Sequence, residues 1–429
     1  MGRAVNSNRL SIVFSIMLFF IVFNPPLIGG FSFTLLFLIL SFLYCVKNVN
    51  ILFSILRVKK IKSILNLIII FFLYIFLTGF INYAEYNNTE IFSNIIDALV
   101  GYDSLLSISF AIVIFSIKKK LDFDHLLRGY VFAGVYQSIL GIACLLIPPV
   151  KTFFNSLVEM NSRSEKISRT IEFVSAYRNY GFASTLFDIF GMAMSVLAIL
   201  AIFQGIKGKK SYYIAAAMIT LCAVINSRTS FVLILVGLLV FVFSTRGKVT
   251  MGWVLKRVVF LMVVVVGIFF LFEWVVNNQT TDQLVWLASA LTESQSDPES
   301  QGYFYTLLNE FIFFPDNALS ILFGTGMSPM QLIDKNTDVG YIQYIWYYGI
   351  VGSVLLYLIY YKLLRYSVKL NTWPDNKLFQ AILIMIAIYL VKLTCLGYSM
   401  ASVIFFPICV FTICNRDNFF NKQWINKNI

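Results

Sequence analysis

Histidine is nearly absent from this 429-residue chain: His125 is the only one. With no second imidazole and no His-Glu-x-x-His or carboxylate cluster at helical spacing, a bound zinc centre is disfavoured, and no cofactor is expected. Charge is scarce as well. Only 13% of residues are Asp, Glu, Lys or Arg while 59% are hydrophobic, against about 25% and 45–50% in ordinary soluble domains. That balance excludes a water-soluble globule. Cys45, Cys144, Cys222, Cys395, Cys409 and Cys414 lie in or beside apolar runs, none at Cys-x-x-Cys spacing, and they read as packing residues. Strictly alternating ten-residue stretches are missing too, which disfavours a β-barrel.

What remains is long apolar runs. They fall near residues 9–28, 30–46, 63–81, 102–117, 129–147, 182–204, 212–227, 229–244, 258–276, 341–361, 378–396 and 400–414. At about 20 residues per crossing, the expected fold is all-α: one polytopic membrane domain over 1–429 with about twelve transmembrane helices. The first run follows Arg3 and Arg9 but ends at Asn24-Pro25-Pro26 without a small-residue cleavage site, so it reads as an uncleaved span.

The net charge of +12 acquires its meaning from these spans. With the N-terminus inside, 25 of the 33 Lys and Arg fall in cytoplasmic segments, leaving +21 there and −9 elsewhere. This bias is the positive-inside signature; it is not a nucleic-acid footprint. Both termini are then cytoplasmic, and two long outer loops follow, 148–181 and 277–340.

The cations that run against this bias are the informative ones. Arg163 and Arg169 share the first outer loop with Glu159, Glu165 and Glu172, a pattern that also fits a solvated, internally paired helix. Arg178 heads Arg178-Asn179-Tyr180-Gly181 at the mouth of a span, and Arg228 sits in Asn226-Ser227-Arg228-Thr229-Ser230 between two spans. A guanidinium keeps its charge and offers a planar fork suited to a diphosphate, although an arginine in a tight turn can also simply snorkel.

In the second loop Tyr303, Phe304, Leu307, Leu308 and Phe311 form one apolar helical face, either lying on the membrane or covering the spans. Candidate bases outside are Glu310, Asp316, Asp334 and Asp338. Within spans, Asp188 and Lys392 offer a possible structural pair. Gly324-Thr325-Gly326 is a weak phosphate-cradle signal, and Gly349 with Gly352 fits a helix-packing notch.

Arg178-Asn179-Tyr180-Gly181-Phe182, Asn226-Ser227-Arg228-Thr229-Ser230, Phe323-Gly324-Thr325-Gly326 and the stretch from Asp338 to Gly352 occur in order over about residues 175–360. In this the chain resembles the O-antigen polymerase and ligase superfamily of membrane glycosyltransferases. The resemblance implies a GT-C-like fold in the bacterial inner membrane, a site facing the periplasm, and donors carried on undecaprenyl diphosphate, with neither metal nor nucleotide sugar. The ligase branch typically carries a His where the large outer loop meets the next span; here Asp338 stands in that neighbourhood, which favours the polymerase branch. On charge and position, Arg178 and Arg228 are expected to hold the diphosphate, with Asp338 as the candidate base. Arg163, Arg169, Glu310, Tyr303, Tyr341 and Trp346 would contact substrate. A chain-length regulator and other polysaccharide-assembly proteins are the implied partners. The alternatives are an O-antigen ligase acting on lipid A-core and, outside enzymes, a lipid-linked oligosaccharide flippase or secondary transporter.

Overall fold

The computed structural model describes residues 2–25, 33–160, 188–208, 210–243, 310–335, 337–371, 374–392 and 399–416, with 181, 183 and 394–397. Regular structure among them is entirely helical: α1 Gly2–Phe23, α2 Phe33–Lys47, α3 Val49–Leu56, α4 Lys59–Tyr86, α5 Glu90–Lys118, α6 Phe123–Leu146, α7 Pro148–Met160, α8 Asp188–Ile206, α9 Tyr212–Asn226, α10 Arg228–Phe243, α11 Ala318–Phe323, α12 Pro329–Ile333, α13 Gly340–Leu370, α14 Asp375–Tyr389 and α15 Met400–Arg416. A helix satisfies every interior backbone group within itself, which is what an apolar solvent demands.

Eleven of the twelve apolar runs fall on these helices, and the run 258–276 lies outside the described residues. Five described helices are long and apolar enough to cross a membrane: α4, α5, α6, α8 from Ile189, and α13. The pair α2–α3 makes a sixth candidate, bent by 90° at Asn48. The chain is thus a helical, membrane-embedded protein.

The chain groups into two compact units. Unit 1 comprises Met1–Phe37 and Asp124–Ser300; unit 2 comprises Leu38–Phe123 and Gln301–Ile429. In unit 1, α8 packs against α9 and α10, and its Met192–Phe203 stretch is buried all round. Asp124 at the start of α6 meets Lys207, just after α8, at 2.9 Å, so those two ends lie together.

In unit 2, α13 packs against α4, α14 and α15, and α15 against α5. One end of this unit is basic. Lys118 Nζ donates to Asn48 Oδ1 (2.7 Å) and Lys362 Nζ lies 3.4 Å from Ser63 Oγ, which gathers the lysine-bearing ends of α2, α5, α4 and α13, as the charge bias anticipates. At the far ends of α4 and α5 sit α11, α12 and the loop around them, tied by Tyr86 Oη to Ser320 Oγ (3.2 Å) and by Asn94 to Gln331.

Two boundaries depart from the sequence reading. The run 102–117 is the C-terminal part of a helix that begins at Glu90, because hydropathy drops at Asn94 and Asp97 while backbone hydrogen bonding does not. The run 378–396 stops being helical after Tyr389; apolar composition there reflects burial, with Cys395 2% exposed.

Candidate functional site

The most unusual backbone in unit 2 is a break in α13. Gly349 adopts φ 64°, ψ −178°, a region open essentially to glycine alone. A helix interrupted there loses the hydrogen bonds of the carbonyls one turn earlier, and buried carbonyls need replacements. The chain supplies each one. Thr325 N–H donates to Trp346 O at 2.7 Å and Gly326 N–H to Tyr347 O at 3.2 Å. The Tyr74 hydroxyl lies 2.8 Å from Tyr348 O and 3.0 Å from Phe323 O.

The loop that fills the break is itself held from α4 and α5. Asn82 Nδ2 donates to Gly324 O at 3.0 Å, and Asn94 Nδ2 to Gly326 O at 2.9 Å. Gly324 (φ 82°) and Gly349 approach backbone to backbone, so a β-carbon on Gly324 would lie 2.5 Å from Gly349 N. Two sequence readings are thereby corrected. The Thr325 and Gly326 amides are spent on α13 carbonyls, so Gly324-Thr325-Gly326 is not a phosphate cradle. Only Gly352 behaves as a packing notch, against the Tyr74 ring; Gly349 is the break.

A second stretch of non-helical backbone is held by tyrosines of α13. Leu396 N–H donates to Tyr344 Oη (2.9 Å) and Gly397 N–H to Tyr360 Oη (2.6 Å). Such backbone persists inside a membrane protein only where protein groups or water satisfy it. Cys395 is 2% exposed, which fits a packing residue.

Between α4, α5 and the glycine loop lies a cavity of about 230 Å³ lined by Thr78, Asn94, Asp97, Gly326 and Tyr347 among others. Asp97 is exposed. None of Tyr74, Asn82, Asn94 and Asp97 was singled out by sequence. The signal available was a polar side chain inside a helix-length, mostly apolar segment.

The residues singled out from sequence fall as follows. Arg163, Arg169, Arg178 and Tyr303 lie outside the described residues, as do the side chains of Arg228 and of Asp188, the latter in the suggested pair with Lys392. Arg228 is the first residue of α10, reached from α9 through the single extended residue Ser227. Its neighbours are buried: Asn226 is 1% exposed, and Ser227 and Ser230 are fully buried. Asn226 Nδ2 donates to Cys222 O at 2.8 Å. Gly191 of α8 makes room for this turn, since a β-carbon there would lie 2.5 Å from both Ser227 Cβ and Ser230 Oγ.

In unit 2, Asp338 is half-buried just before α13, where a carboxylate also suits the positive end of a helix. Tyr341 Oη donates to Ala387 O at 2.7 Å. Trp346 is buried with Val339 and Ile342, and its indole N–H donates to Phe313 O at 3.1 Å. Trp346 therefore holds the outer segment on α13, while Tyr341 ties α13 to α14. Glu310 and Asp316 are exposed, and Asp334 closes α12 with φ 52°.

No protein-family model, no characterised protein and no solved structure matches this chain.

Proposed function

We propose that the chain is a metal-independent glycosyltransferase that polymerises oligosaccharide repeat units carried on undecaprenyl diphosphate at the outer face of the bacterial inner membrane, as an O-antigen polymerase does. The observation that carries this reading is the position of Arg228. Its backbone opens α10 beside the buried Asn226, Ser227 and Ser230, and an arginine is an unfavourable choice for the first residue of a helix, where positive charge works against the macrodipole. The helix gains nothing from an arginine there, whereas an anionic ligand suits both a helix N-terminus and an arginine in that turn.

In the proposed reaction, Arg178 and Arg228 hold the donor's diphosphate and stabilise the charge that grows on it as the anomeric carbon–oxygen bond breaks. A hydroxyl of the second lipid-linked unit forms the new bond to that carbon. Its proton passes to a carboxylate, for which Asp338 is the sequence's candidate, and undecaprenyl diphosphate leaves.

Deleting the gene in its host and running the surface polysaccharide on a gel tests this. Loss of a polymerase leaves single repeat units on the acceptor. Complementation with Arg178→Ala or Arg228→Ala should leave the same single-unit band, and normal chain length in both refutes the diphosphate role.

A flippase or transporter is the second reading, and one observation favours it: the break at Gly349 is the discontinuous-helix device that transporters use near their substrate sites. Loss of a flippase leaves no repeat units on the acceptor, so the same gel separates the two.

A further inference from the structure

We propose that the cavity between α4, α5 and the Gly324–Ser328 loop is a binding site for an uncharged, hydroxyl-rich ligand, the saccharide portion of the incoming acceptor. This assignment of ligand class rests on the glycosyltransferase reading; the cavity and its chemistry do not.

Depth comes first. Counted at 1.5 Å per residue from the basic end of unit 2, Thr78 lies about 24 Å from Lys62, Asp97 about 32 Å from Lys118, and Tyr347 about 22 Å from Lys362. A hydrocarbon core is about 30 Å thick. The cavity therefore opens at the membrane face opposite the lysines, where the charge bias puts the extracytoplasmic side.

Charge comes second. Asp97 is the one charged side chain among the described lining residues, and no described cation pairs with it. At the membrane face this exposed carboxylate meets water, where it keeps its charge and is open to a polar ligand. A phosphate is repelled by it, so this is not a seat for the diphosphate. Sugar hydroxyls, by contrast, donate to a carboxylate in strong charge-assisted bonds.

Shape and rigidity come third. Asn94 is already committed to Gly326 O and Gln331, so it fixes the wall and does not reach for a ligand. Ile95 and the Tyr347 ring supply the apolar surface that the C–H face of a sugar requires. About 230 Å³ corresponds to the share of roughly eight waters at ~30 Å³ each, space for one ring displacing ordered water.

The test uses the full-length protein in lipid nanodiscs with two probes: the free single-repeat oligosaccharide cut from the host's surface polysaccharide, and inorganic pyrophosphate. Asp97→Asn, an exposed change that leaves packing intact, should weaken oligosaccharide binding about tenfold. Ala98→Leu, which narrows the cavity, should weaken it as well, and neither should alter pyrophosphate binding. Unchanged oligosaccharide affinity in both variants overturns the proposal, as does tighter pyrophosphate binding in Asp97→Asn, which would mark the cavity as the diphosphate seat. Pyrophosphate binding that ignores Arg228→Ala refutes the diphosphate role of Arg228 while leaving the cavity result to stand or fall by the oligosaccharide titration.

Discussion

Gly324 and Gly349, twenty-five residues apart in the sequence, meet backbone to backbone at the break in α13, each with positive φ. Neither position has room for a β-carbon. The contact lets a loop from outside α13 complete the hydrogen bonding of a helix that has lost its own.

Gly349→Ala should therefore do more than strain φ, because the new methyl group runs into the Leu322 and Gly324 backbone. We expect a loss of about 3 kcal/mol from strain and displacement together, read as a lowered unfolding midpoint in detergent. Gly208→Ala is the control: it has φ 106° but nothing within 4 Å, and should cost about 1 kcal/mol. Equal effects would mean the close approach contributes nothing.

Tyr74→Phe removes the hydroxyl facing the Tyr348 and Phe323 carbonyls while keeping the ring against Gly352. Leaving a buried carbonyl without a donor costs about 1–3 kcal/mol. The same melting measurement should show it, and hydrogen exchange should rise at residues 350–353. A midpoint equal to wild type would show that the break is satisfied by other means.

Gly191→Ala puts a methyl group against Ser227 and Ser230 and so displaces the start of α10, which Arg228 heads. Polysaccharide chain length should fall although Gly191 itself touches no substrate. Adding Ser227→Gly and Ser230→Ala returns the space and should restore part of the length. Full activity in the single variant would remove the argument that Arg228 must be held in place.

Cysteine labelling checks the orientation of α9, which joins Lys207 to Arg228. All six native cysteines are buried, so background reaction should be low. A membrane-impermeant maleimide added from outside should modify Arg228→Cys and spare Lys207→Cys. The reverse pattern would place Arg228 on the cytoplasmic side and end the diphosphate reading.

Composition and run length by themselves determined that this is a helical membrane protein and where most of its helices lie, because an apolar solvent leaves the backbone few choices and hydropathy reports that solvent directly. The placement of lysines anticipated which ends of α2, α4, α5 and α13 share one face of unit 2. Motif reading drew attention to Gly324, Gly326, Gly349 and Arg228 but could not say what each glycine was for. Glycine signals only that backbone must approach something or turn unusually, and the partner is a matter of packing. Only the tertiary structure decided that the Thr325 and Gly326 amides serve α13, that Trp346 and Tyr341 are tied to backbone carbonyls, and that Tyr74, Asn82, Asn94 and Asp97 surround the loop. Those relations join residues up to 274 positions apart, and hydrogen-bond satisfaction over such separations depends on three-dimensional proximity that no local pattern in the chain encodes.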